Sequence, residues 1–288
     1  GWTVLHYAAR SGKIECVETM ILSLYPESER LGALGLQNTK TKTVLHCAAM
    51  SGNCESFKFI LSLYPESERL QVVSTKSKWK QSVLHCVAGS QNPDHSSKLE
   101  CVKTILDLYQ GSELFRVVCM TDEFWGQTVL HRASKSGDHE IVKYILSLLS
   151  ESESRQALFC GDSLGRTLLH LASNQPDNRA LIETILAFMS ESFRLRFVSW
   201  QCRHGETALH CGARERHSES TKFILRALPR SERLQVVRLQ DDMFGNTVLH
   251  DASGRGSTAV MDILELLPVS QRSDAVNVKN KQGKTVLG

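Results

Sequence analysis

The chain has 288 residues, 41% hydrophobic and 23% charged, the balance of an ordinary soluble globular protein, which excludes a disordered or fibrous chain. A formal net charge of +3 and a pI near 8.4 are too close to balance to demand nucleic acid or an anionic membrane through bulk electrostatics, so any basic patch must be local. No apolar stretch approaches the roughly 18 to 20 residues that span a bilayer, and residues 1–12 lack the layout of a signal peptide.

The first elements follow from Thr3-Val4-Leu5-His6, then Ala8-Ala9 and Gly12. A threonine N-cap, a short apolar and small-residue run and a glycine free to turn left-handed describe a two-turn helix, termed helix A. Val17, Ile21 and Leu24 follow at helical spacing and define helix B. The second copy runs from Thr43 to His46, Ala48-Ala49 and Gly52, and its tail is Tyr64-Pro65-Glu66-Ser67-Glu68-Arg69-Leu70-Gln71-Val72-Val73. That tail predicts a proline-marked break, Ser67 as N-cap and a short third helix pinned by Leu70 and Val73. Glu68 in its first turn suits the helix dipole.

The third copy ends its motif at His85, and Gly89–Lys98, with its Gly, Ser and Asn-Pro content, predicts a loop between helices A and B. An inert insertion is the simpler reading of that loop and a partner-specific finger the other. Thr128 to His131 opens the fourth copy, with Ala133-Ser134, Gly137 and then Val142, Ile145, Leu146 and Leu149 at helical spacing. The fifth and sixth motifs end at His170 and His210, the seventh is Thr247 to His250 with Gly256, and an unfinished eighth is Thr285-Val286-Leu287. Successive histidines stand 40, 39, 46, 39, 40 and 40 residues apart. One serine marks each tail, at positions 28, 67, 112, 152, 192, 231 and 270, and glycine precedes the histidine by five residues at Gly1, Gly126, Gly165, Gly205 and Gly245, with Gly283 before the eighth motif.

These residues resemble the ankyrin repeat, D-x-x-G-x-T-P-L-H-x-A-A-x-x-G followed by a second helix, and the resemblance covers essentially all of residues 1–288. It implies an all-α solenoid in one domain, residues 1–288, with hairpin-like turns. Three departures stand out. Val, Leu or Ala replaces the proline after the threonine. The period is about 40 rather than 33, and the additional residues predict an extra short helix per repeat, on the outer side. Thr41 and Lys80 occupy the glycine position of the second and third turns, which puts the shape of those turns in question. The chain opens and stops in mid-pattern without polar capping repeats, as an excerpt of a longer array would.

One repeat cannot bury its apolar face alone, so stacking is required, and a curved stack offers a concave surface. The resemblance implies that this surface and the turn tips hold a protein partner, with no catalysis, no cofactor and no oligomerisation. The tip residues are Trp2, Lys40, Lys42, Lys78, Trp79, Phe124, Trp125, Leu164, Arg166, Arg203, His204, Met243 and Phe244. Aromatic rings and arginines among them suit an interface, because they bury large areas at modest entropic cost. Helix A positions after the histidine are the other contact sites implied: Arg10, Met50, Lys135, Asn174, Arg214 with Glu215, and Arg255.

Seven histidines at one repeat position, His6, His46, His85, His131, His170, His210 and His250, would lie about 8 to 10 Å apart in a stack, too far to share an ion bound at about 2 Å. The ankyrin resemblance implies a structural role for them, hydrogen-bonding backbone and threonine groups of adjacent turns. No P-loop, G-x-S-x-G, H-E-x-x-H or dinucleotide fingerprint is present; an enzyme would have to lie elsewhere in a longer protein. The nine cysteines include no CxxC pair and read as reduced thiols, which places the protein in the cytoplasm or nucleus. A second functional reading rests on Lys40, Lys42, Lys76, Lys78, Trp79 and Lys80, which would grip nucleic-acid phosphates or anionic lipid with strong salt dependence.

Overall fold

A helix of six to eight residues is marginal in water on its own, so helix A exists in this protein only because its termini are tied and its apolar face is covered. The computed structural model describes residues 1–175, 178–214 and 219–287, and there helix A spans Val4–Ser11, Val44–Ser51, Val83–Ala88, Val129–Lys135, Leu168–Ser173, Ala208–Arg214 and Val248–Ser253. At its start the hydroxyls of Thr43, Ser82 and Thr128 each accept the histidine amide at 3.4 Å. The histidine ring returns a bond to the cap residue, a reciprocal box in which His replaces the usual Glu or Gln. Gly12 and Gly52 close the first two copies at φ near 70°. Gly256, expected to do the same, instead precedes the next helix, because helix A of the seventh copy ends at Ser253.

The residue before each motif histidine, from Leu5 to Leu249, is buried in every copy. Each contributes about 1.5 to 3 kcal/mol of burial. Small residues behind the histidine let neighbouring helices approach: a Cβ added at Gly212 would meet Thr221 Oγ1 at 2.8 Å. The chain divides into two compact units, Gly1–Ile145 and Leu146–Gly288. In the first, the A helices of copies one to four pack in order; in the second, those of copies five to seven do.

Every copy carries the additional third helix: Glu27–Gly35, Glu66–Val73, Ser112–Val118, Glu151–Phe159, Glu191–Val198, Arg230–Val237 and Val269–Val276. Its start corrects the expectation for Ser67. Pro65, extended and without an amide to leave unbonded, is the N-cap; Ser67 lies inside the first turn. Val73 is buried but Leu70 is exposed, so Leu70 does not pin this helix. An arginine does much of that work. Arg30, Arg69 and Arg233 each donate from Nε to a carbonyl at the end of helix B, Tyr25, Tyr64 and Leu228, at 3.1 to 3.2 Å.

The predicted loop 89–98 is also shorter than expected. Helix B of the third copy is His95–Leu106, started by Asp94, whose carboxylate accepts the Ser97 amide at 3.0 Å. Lys98 is therefore helical, and it is buried in an ion pair with Asp138 at 2.9 Å. Among the described residues there are 21 helices and no strand, only the isolated bridges Lys76 to Ser82 and Gln240 to Thr247. No described helix is long and apolar enough to cross a membrane.

Candidate protein-binding surface

The turns before helix A in the second, fourth, fifth and seventh copies are each built on one buried polar side chain that collects backbone amides. Asn38 Oδ1 accepts Lys40 N at 2.9 Å and Lys42 N at 3.1 Å; Asp162 Oδ1 accepts Leu164 N at 2.9 Å and Arg166 N at 3.0 Å. Asp122 and Asp241 hold turns one residue longer, Asp-Glu-Phe-Trp-Gly and Asp-Asp-Met-Phe-Gly, accepting Trp125 N at 2.8 Å and Phe244 N at 2.6 Å. Burial pushes the Asp122 and Asp162 carboxyls up, but the guanidinium beside each, from Arg132 and Arg166, and the turn amides outweigh it and hold both below the usual carboxylate range.

Adjacent turns are then joined tip to tip. In the first unit Lys78 N donates to Lys40 O at 3.0 Å and Glu123 N to Trp79 O at 2.8 Å. In the second, Arg203 N to Leu164 O, Asp242 N to His204 O and Lys281 N to Phe244 O are all 2.8 Å. Because these bonds occupy the tip backbone, the row of turns within each unit is fixed.

Thr41 and Lys80 take up the left-handed conformation that glycine adopts in the other turns, with φ of 52° and 54°. Their turns still close, through Thr41 N to Asn38 O and Lys80 N to Ser77 O at 2.8 Å each.

The tip side chains fall into distinct groups. In the first unit Lys40 lies over the Trp79 ring at 5.4 Å, Trp79 meets Phe124 edge-on at 6.0 Å, and Phe124 meets Trp125 at 5.0 Å. Phe124 is 58% and Trp125 41% exposed and Trp79 is half-buried, so one cation and three rings make a continuous strip over three turns, open at its Phe124 and Trp125 end. Lys78 is exposed beside it, and Lys80 pairs with Glu123 at 2.6 Å. In the second unit Arg203, His204, Met243 and Phe244 are all exposed, Met243 by 63% and Phe244 by 50%. Trp2 is half-buried against the rings of His6 and Tyr7.

Two tip residues are placed otherwise than expected. Lys42 is 6% exposed: it follows the turn rather than crowning it, and its ammonium lies 3.1 Å from Met50 Sδ. Arg166 turns back onto Asp162, with Nε at 3.0 Å and Nη2 at 2.7 Å, so its guanidinium is engaged within its own turn.

Arg10 and Lys135 on helix A are exposed, as are Asn174 and Arg255 just past its end; Met50 is half-buried, and Arg214 is bound to Glu206 at 2.6 Å. Glu215 lies outside the described residues. The residue immediately after the histidine is charged in two copies. There Arg132 donates to Asp122, while Asp251 is held up at about 6 by burial, with Asp241 adding to the rise and Arg214 opposing it. No spacing rule marked this position, because its residue type changes from copy to copy.

His6, His85, His170, His210 and His250 tie their turns to the next copy. Nε2 of His6 bonds Lys42 O at 3.0 Å, and Nε2 of His170, His210 and His250 bonds Glu206, Asn246 and Lys284 O at 3.1 Å. His85 reaches both Met120 O and Gln127 O at 3.1 Å. A carbonyl can only accept, so Nε2 carries the proton and Nδ1 accepts from the threonine or serine hydroxyl. His131 bonds Thr128 in the same way at 2.7 Å. His46 also holds Thr43, but its Nε2 faces the Thr75 and Gln81 carbonyls without a well-aligned bond. Burial pushes His46, His85 and His170 down to about 4, and His210 down as well.

A family model described as "Ankyrin repeats (3 copies)" matches residues 1–71 and 95–192, more than half of the chain. The chain belongs to the ankyrin-repeat family. Its fold is similar to the crystal structure of the human ASB11 ankyrin repeat domain, with a TM-score of 0.63 at 15% identity over 93% of this chain and 99% of that one. It is also similar to the ankyrin repeat domain of Bcl-3, described as a unique member of the IkappaB protein family, with a TM-score of 0.56 at 19% identity over 92% of this chain and 99% of that one. No curated protein matches the sequence. The ankyrin fold thus supplies the frame, and a fold by itself does not fix what is bound. Among its described residues no group of three or more His, Cys, Asp or Glu is arranged to hold a metal.

Proposed function

We propose that this ankyrin-repeat chain is a non-catalytic interaction scaffold, residues 1–288 acting as one binding domain that holds a protein partner through its turn tips and the exposed face of helix A. The observation that carries this reading is the strip of Lys40, Trp79, Phe124 and Trp125. Large rings lie open to solvent on a backbone row already fixed by hydrogen bonds, so a partner would bury them at little ordering cost. Lysine binding of nucleic acid or lipid has less support: Lys42 is buried, Lys80 has Glu123, and Lys40 rests on Trp79.

The test is a pull-down from cell extract with the intact chain and with a variant carrying W79A, F124A, W125A and F244A, at low and high salt. Protein partners retained at high salt and reduced by more than about tenfold in the variant support the scaffold, as expected for truncating a cluster of aromatic anchors. Recovery of nucleic acid or lipid alone, released by salt whatever the aromatics, would replace it with the lysine reading.

A further inference from the structure

Two of the nine cysteines are juxtaposed across a repeat boundary. Cys54 is the first residue of helix B in the second copy, Cys54–Ser62, and Cys101 lies within helix B of the third, His95–Leu106. The two helices pack directly. The Cys54 amide donates to Ser97 Oγ at 2.8 Å, and Cys101, four residues after Ser97, shares its helix face. Both cysteines are buried, and the Ser97 contact places them within about one helical turn of each other. On the adjoining surface Lys58 bonds Glu100 at 2.7 Å and ties the same two helices.

We propose that Cys54 and Cys101 are a site of reversible oxidation, a dithiol that a hydroperoxide converts to a disulfide linking the second and third repeats. The Cys54 thiolate attacks the terminal peroxide oxygen, the O–O bond breaks and hydroxide, or the alkoxide of an organic hydroperoxide, leaves, which oxidises Cys54 to the sulfenic acid. Cys101 sulfur then attacks Cys54 Sγ, the S–O bond breaks, and the departing hydroxyl takes the Cys101 proton and leaves as water. A small peroxide suits a pair with little exposed surface. The environment separates the two roles. Cys54 stands at the first position of its helix, where the amide end of the helix favours a thiolate, whereas Cys101 is fully buried within its own helix. Cys54 is therefore the attacking thiolate and Cys101 the resolving thiol. Burial pushes Cys47 and Cys211 up to about 12 and also raises Cys86 and Cys160, which leaves those thiols less reactive.

This site is independent of partner binding and is tested without it. The folded full chain would be treated with hydrogen peroxide, alkylated, digested without reductant and mapped by mass spectrometry. The expected result is a Cys54–Cys101 cross-linked peptide that dithiothreitol abolishes. In C101S, dimedone labelling of Cys54 as sulfenic acid should rise about tenfold over the intact chain, since nothing resolves it; in C54S, Cys101 should remain a thiol. Circular dichroism would establish that both variants fold, and the cross-link in the unmodified chain does not depend on them. Peroxide that leaves both thiols alkylatable, or joins other cysteine pairs as readily, would overturn the proposal.

Discussion

Thr41 and Lys80 hold a conformation that costs an L-residue about 1 to 2 kcal/mol, at φ of 52° and 54°. T41G and K80G should therefore each stabilise the protein by about 0.5 to 1 kcal/mol, once glycine's added freedom in the unfolded chain is subtracted. Loss of the exposed Lys80 to Glu123 pair counts for little in that comparison. Urea unfolding would measure both; a lower midpoint in either would show that the side chain itself holds the turn. Asp251 is a second residue out of keeping with its place. Its native pKa of about 6 lies above that of an unfolded aspartate, so it favours the folded state while protonated. That contribution is complete below about pH 4 and is lost as pH rises through 6. D251N keeps the neutral form throughout. It should stabilise by on the order of 1 to 2 kcal/mol at pH 7.5 and by nothing at pH 4.

Helix A behaves as one hydrogen-bonded element with its turn, and acid is its weakness. An unfolded histidine titrates near 6.5, whereas buried His46, His85 and His170 titrate near 4. The native state is thus unpenalised above 6.5 and loses stability as pH falls towards 4, by up to about 3 kcal/mol for each histidine. The urea midpoint should drop steeply between pH 6.5 and 4.5, and a flat profile there would contradict the burial of these rings as neutral groups. The third helix depends on a different device. Arg233 bonds Leu228 O at 3.1 Å through Nε and Leu266 O at 2.9 Å through Nη1, bracing two copies at once. R233M keeps the apolar stem but abandons both carbonyls, and should cost about 1 to 3 kcal/mol. R233K should recover less than half, because a single ammonium has no fork to span them. Equal stability of the two variants would assign the arginine to packing alone.

At the scale of the molecule, a repeat protein couples each copy chiefly to its neighbours, so damage should spread by repeats. Gly205 stands at φ 71°, and a Cβ there would lie 2.5 Å from Asp242 N, on the bond between the sixth and seventh turns. G205A should lower hydrogen-exchange protection most at residues 202–207 and 241–247 and less with each copy further away; a uniform loss over residues 146–287 would indicate all-or-none unfolding of that unit instead. The spacing of the histidines, the apolar run and the serine-marked tail were sufficient to reveal the family, the helix pair and the third helix, because each rests on local capping and periodicity. The candidate surface was legible in part: Trp79, Phe124 and Trp125 could be read as turn-tip residues, but not that their rings touch one another. The burial of Lys42, the return of Arg166 onto Asp162, the unpinned Leu70 and the packing of the Cys54 helix against the Cys101 helix left no trace in spacing. The sequence alone determined which segments form helices and which turn, since those choices are made within a few residues of chain. Only the tertiary structure decided which exposed groups stay free and which find a partner some 40 residues away, because that contact exists only after neighbouring copies have stacked.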